Sequence, residues 1–148
     1  MISIDTNILL PAIEPANPCH EKAASFLASM GERDDVAVSE FALLELYVLL
    51  RNPLVLKKPL SPAGALEVVE AFRSHPTWQV IGFPPRSKAF HDEFWPKLGS
   101  GQFARRRAYD WRMALSLITQ GVRRFATANV KDFEGFGFQE VWNPLAED

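Results

Sequence analysis

Residues 1–7, MISIDTN, decide how the rest of the chain is read. Met1 to Ile4 makes a short buried strand that stops at Asp5, inside a wider apolar, strand-like segment from Ile2 to Leu10. A strand that ends in an acid and two small polar residues has a specific meaning in an open parallel sheet. Ligands bind there beyond the carboxyl ends of the strands, so Asp5-Thr6-Asn7 marks one wall of a candidate site.

The same grammar recurs downstream. Asn17-Pro18 offers a cap and a first-turn proline for a helix ending near Gly31. Val36 to Ser39 is a second strand, and Phe41 to Leu50 is a helix apolar nearly all round, hence expected to be buried, until Asn52-Pro53 stops it. Ser61-Pro62 caps a helix reaching about His75, Trp78 to Phe83 is strand-like, and Ser87 to Leu98 carries Phe90, Phe94 and Leu98 at helical spacing. Gly99 to Gln102 is a break, Ala108 to Gln120 is an amphipathic helix closed by Gly121, and Arg124 to Ala128 and Gln139 to Trp142 are strands. Strands alternating with helices at this spacing predict an α/β fold with a mainly parallel sheet covered by helices on both faces.

Composition narrows the class. A length of 148 residues with 47% hydrophobic content suits a single domain, 1–148, with a sizeable core. The lone Cys19 supplies neither an internal disulfide nor a CxxC metal site, and no apolar stretch is long enough to span a bilayer. Met1 leads into the first strand without a basic leader or cleavage site, so a cytoplasmic protein is expected. A formal net charge of −2 gives no overall field for nucleic acid, so phosphate binding must come from local patches.

Glu45 is the only charge between Phe41 and Leu50, and an ionised carboxylate in an apolar setting needs a partner. One turn into its helix, it leans back toward the strand end at Ser39, within reach of Asp5. Asp110 shares a helix face with Met113, Ala114 and Leu117; as a plain alternative it is a dipole-favoured first-turn charge. If Asp5, Glu45 and Asp110 meet, three like charges raise one another's pKa values unless a cation compensates, and hard oxygen ligands suit Mg²⁺ or Mn²⁺. Thr127-Ala128-Asn129 closes another strand and joins the same edge. His20, His75 and His91 have no zinc spacing, so no histidine general base is expected.

The ordered set of Ile4 to Asn7, Ser39 with Glu45-Leu46, Asp110 with Ala114 through Gly121, and Thr127-Ala128-Asn129 leading to Asp132-Phe133 resembles the PIN-domain family, in its VapC branch. The resemblance covers the whole chain and includes the closing Trp142-Asn143-Pro144-Leu145. It implies a PIN-like three-layer α/β/α sandwich with a mainly parallel central sheet of four to five strands. It also implies a toxin endoribonuclease of a VapBC toxin–antitoxin module, in which Asp5, Glu45 and Asp110 hold one or two Mg²⁺ or Mn²⁺ ions that activate a water for in-line attack on RNA. Thr6, Asn7, Ser39 and Thr127 would orient carboxylates or waters, with capping and strand-end turns as their structural alternative.

Two positions depart from the family pattern. The fourth acidic position is Asn129, whose amide oxygen can still ligate a metal, while Asp132 is placed to supply the missing charge. Trp111 stands where a small residue is usual, and packing is its favoured role. Arg105, Arg106, Arg107 and Arg112 flank Asp110 and form the expected RNA-facing patch. The resemblance further implies a VapB-type antitoxin and a homodimer, with apolar residues of the first two helices available for either surface. A non-catalytic PIN-fold module binding RNA or protein is the alternative, motivated by Asn129. A receiver-like phosphorylation domain is disfavoured because Gly82-Phe83-Pro84 follows the central strand where an aspartate is needed.

Overall fold

The structure, a computed structural model, describes residues 1–147. Among them are five strands, β1 (Ile2–Ile4), β2 (Val36–Ser39), β3 (Gln79–Ile81), β4 (Arg124–Ala126) and β5 (Glu140–Trp142). They form one all-parallel sheet in the order β3-β2-β1-β4-β5. The helices are α1 (Thr6–Ile13), α2 (His20–Gly31), α3 (Glu40–Leu50), α4 (Pro62–Arg73), α5 (Ser87–Leu98), α6 (Arg107–Thr119) and the single turn α7 (Val130–Phe133).

Strand alternation distributes the core to both faces. Ile4, Val36 and Val38 pack with Ile8, Leu43, Leu46 and Val69, so α1, α3 and α4 cover one face, with α2 against α1. Ala37 and Phe125 pack with Phe90, Leu115, Leu117 and Phe133, which puts α5, α6 and α7 on the other. The three-layer sandwich is therefore present, with five strands. From β1 the sheet grows outward through β2 to β3, then resumes on the opposite side of β1 with β4. That reversal opens a crevice at the carboxyl ends of β1 and β4, the place where such sheets bind ligands.

Local chemistry explains where the sequence reading holds and where it fails. Ser61 Oγ accepts from the Gly64 N–H (3.1 Å) with Pro62 in the first turn, as expected for α4. Gly121 takes φ +97°, a conformation glycine supplies without strain, to turn α6 into β4. The strand-like reading of Ile2 to Leu10 is corrected: β1 ends at Ile4, and Asp5, still extended, caps α1 by accepting the Thr6 N–H at 2.8 Å. A short apolar run cannot by itself separate strand from buried helix. The Asn17-Pro18 helix start is also displaced. Asn17 Oδ1 accepts from the Cys19 N–H (2.9 Å), closing a turn, and α2 begins at His20.

The expectation that α3 is buried fails on one side. Ala42, Leu43, Leu46 and Leu50 are buried, but Leu44 is 64% and Val48 56% exposed. Only one stripe of a helix can face a flat sheet, and among the described residues no other element covers Leu44 and Val48.

Candidate active site

Asp5 sits at the crevice between β1 and β4. Its backbone N–H donates to the Ala126 carbonyl (2.9 Å), which extends the sheet pairing by one residue and fixes where the side chain begins. One carboxylate oxygen takes the Thr6 N–H, and the other accepts from Thr127 Oγ1 at 2.7 Å. Thr127, fully buried, is itself held: its oxygen accepts from the Asn129 N–H (3.0 Å) and from Asn7 Nδ2 (3.2 Å). Asn7 Oδ1 in turn accepts from the Ala128 N–H at 3.0 Å. The triplets after β1 and β4 thus lock together.

Glu45 reaches the same place from α3. Thr6 Oγ1 donates to the Ala42 carbonyl (2.9 Å) and lies 3.5 Å from Glu45 Oε2, so the glutamate leans toward the start of α1 from a solvent-reached position. Asp110 enters from the first turn of α6 and is half-buried. Burial pushes the Asp5 carboxyl up to about 7; the Thr127 hydrogen bond opposes this, and the charges of Glu45 and Asp110 add to it. Asp110 is raised to about 6, by burial and then by Asp132 and Glu45, against weaker opposition from Arg107 and Arg106. Glu45 is raised by partial burial, with the Thr6 hydroxyl opposing. The three acids named from the sequence therefore act on one another, and Asp132 acts on Asp110.

The remaining residues divide. Asn129 is exposed and its backbone rather than its side chain joins the network, while Asp132 on α7 is half-buried and its charge acts on Asp110. Ser39 takes its capping alternative: buried, it accepts the Phe41 N–H (3.1 Å) at the start of α3. Trp111 packs, with Nε1 donating to the Phe94 carbonyl at 3.0 Å.

The four arginines differ in what they touch. Arg107 donates twice to the Asp132 carbonyl (3.1 and 2.8 Å) and lies 4.5 Å from the Phe136 ring centroid, so it is a strut between α6 and α7. Arg112 lies over the rings of Phe41, Phe83 and Tyr109. Arg105 and Arg106 are exposed. The strut and the aromatic contacts escaped sequence reasoning because their partners are far away along the chain and follow no periodic pattern.

Among the described residues, no three His, Cys, Asp or Glu side chains are grouped so that they could hold a metal ion. The donor chemistry nevertheless suits a hard cation: the acids are all oxygen donors, they share one crevice, and their mutual repulsion lacks a balancing charge of comparable strength.

No profile of a known protein family matches the chain. Ribonuclease VapC24 of Mycobacterium tuberculosis is 45% identical over 148 residues, covering 100% of this chain and 99% of that protein. Among solved structures, M. tuberculosis VapC20, described as a toxin that cleaves the sarcin-ricin loop, superposes with a TM-score of 0.59 at 16% identity, over 84% of this chain and 87% of its own. VapBC2 of Rickettsia felis, bound to DNA from its promoter, gives 0.63 at 19% identity over 97% and 98%. The structural likenesses show a shared fold. The full-length sequence identity shows that the chain belongs to the VapC family of PIN-domain ribonucleases.

Proposed function

We propose that this chain is a Mg²⁺- or Mn²⁺-dependent endoribonuclease, the toxin half of a VapBC pair, whose catalytic acids are Asp5, Glu45 and Asp110. The observation that supports this reading is Asp5, held just after β1 between the Thr6 N–H and the Thr127 hydroxyl, with its carboxyl raised by burial and by the charges of Glu45 from α3 and Asp110 from α6. A bound divalent ion, one or two per site, would supply Lewis acidity and neutralise charge during phosphodiester hydrolysis. The protein's own part is positional. Asp5 offers a fixed carboxylate, Thr127 and Asn7 hold its orientation, and Glu45 and Asp110 complete the oxygen donor set, with Asp132 or the Asn129 amide at its edge. Arg105 and Arg106, at the approach to Asp110, would contact the RNA backbone.

Family membership supports RNA as substrate and a VapB-type antitoxin as partner; action in the cytoplasm and a homodimer belong to the same proposal. Two surfaces suit protein partners. One is the exposed side of α3 and α4 at Leu44, Val48 and Leu66. The other is a groove of about 510 Å³ lined by Leu10, Glu14, Val55, Leu56, Lys57 and Lys58.

The test incubates purified wild-type protein and Asp5→Asn with total cellular RNA in Mg²⁺, in Mn²⁺ and in EDTA, mapping cut ends by sequencing. Discrete cuts that vanish with EDTA and with Asp5→Asn are expected. Binding without cutting by folded, metal-loaded, antitoxin-free protein would instead make the chain a non-catalytic RNA-binding module.

A further inference from the structure

Four side chains from three separate parts of the chain, with Tyr109 and Arg112 one turn apart on α6, meet at the carboxyl edge of the sheet. The Arg112 guanidinium carbon lies 5.1 Å from the ring centroid of Phe41, 5.5 Å from that of Phe83 and 5.7 Å from that of Tyr109. Phe41 and Phe83 touch edge to face at 4.7 Å. Phe83 is 49% and Tyr109 75% exposed, although large rings ordinarily gain by burial. Their location is specific. Phe41 and Phe83 follow β2 and β3 at the carboxyl edge of the sheet, and Tyr109 immediately precedes Asp110.

Arg86 and Arg106, three residues after Phe83 and three before Tyr109, are exposed, and among the described residues neither joins an ion pair, whereas the acid beside Phe41, Glu40, is paired with Arg73. Phe83 also packs against Phe90 and His91 yet stays half exposed, and Tyr109 is the more open ring. Exposed rings, a guanidinium lying over them and nearby arginines match a nucleotide chain, whose bases stack and whose phosphates need cations.

We propose that Phe41, Phe83, Tyr109 and Arg112 form a stacking subsite for an unpaired base of single-stranded RNA, adjoining the phosphate held at the acids. This rests on the ribonuclease reading of the crevice. It adds a selection rule: a base locked in a duplex cannot stack here, so the enzyme takes RNA from loops and single strands.

The experiment uses the Asp5→Asn chain, which retains RNA without cutting it, and reads fluorescence anisotropy with a short single-stranded RNA and with an abasic ribose-phosphate chain of equal length. Phe83→Ala and Tyr109→Ala are each expected to weaken binding of the RNA about tenfold and leave the abasic chain unaffected. Phe83→Trp should restore affinity. Tyr109 is so exposed that its variant keeps the fold even if Phe83→Ala does not. Equal losses on both chains, or no loss in either variant, overturn the subsite. If wild-type cuts still require metal and Asp5 in that event, the ribonuclease reading stands; if wild-type protein neither binds nor cuts RNA, both fall. Unchanged RNA binding with lost self-association would make the patch a protein interface and overturn the proposal.

Discussion

Asp5 is held by opposing forces, with burial favouring its neutral form and two hydrogen-bond donors favouring the charged one. Thr127→Val keeps the shape but removes the hydroxyl that binds Asp5 and accepts from Asn7 and Asn129. Metal affinity and cleavage should fall about ten- to hundredfold, as for other groups that orient ligands, and Thr127→Ser should recover most of it. Calorimetric titration with Mn²⁺ beside RNA cleavage rates checks both parts. The raised pKa also fixes a pH effect. With the folded value about 7 and the ordinary value 3.8, the metal-free folded chain retains a proton that the unfolded chain has released. That contribution to stability is complete below the unfolded value and disappears as pH rises through the folded one. In EDTA the melting temperature should therefore climb as pH is lowered from about 8 to about 5, and Mg²⁺ at the higher pH should replace the lost stability. A flat profile in this window would count against the buried, repelled carboxyl.

Helix α3 shows the same sequence signal giving two different outcomes. Leu46 is wholly buried whereas Leu44, two residues earlier, faces water. Leu46→Ala should cost about 2–5 kcal/mol, and Leu44→Ala within about 0.5 kcal/mol for the isolated chain, both read from urea denaturation. The strands, α4 and the acids were legible because apolar runs, caps and lone charges are local signals. Glu45 stood out as the one charge in an apolar helix, and Thr127 as the polar end of a strand. Other features were not legible. Ile8 and Leu9 suit a strand and a helix equally, so α1 emerges only from the cap that Asp5 provides. Arg107 looked like one of three equivalent cations until its bonds to the Asp132 carbonyl set it apart. Which face of α3 is covered depends on how wide the neighbouring layers are, a property no single segment encodes.

The molecule places one sheet between two apolar clusters, with Trp78 in one and Trp111 in the other. Since both clusters share the central strands, they should melt together. Within Trp111→Phe, which removes the indole from the α6 side, and within Trp78→Phe, which removes it from the α4 side, indole fluorescence and far-ultraviolet circular dichroism should give coincident denaturation midpoints. Midpoints that separate within either variant would mean that the faces unfold independently. The link that closes the crevice carries another consequence. Thr127 reaches back across 122 positions to Asp5, and β4 lies between β1 and β5. Protein synthesis is directional, so a growing chain already holding Asp5 and Glu45 still lacks the strand that completes their surroundings. The pocket takes shape only once β4 and Thr127 have been made, and a chain that stops before them lacks the group that holds Asp5.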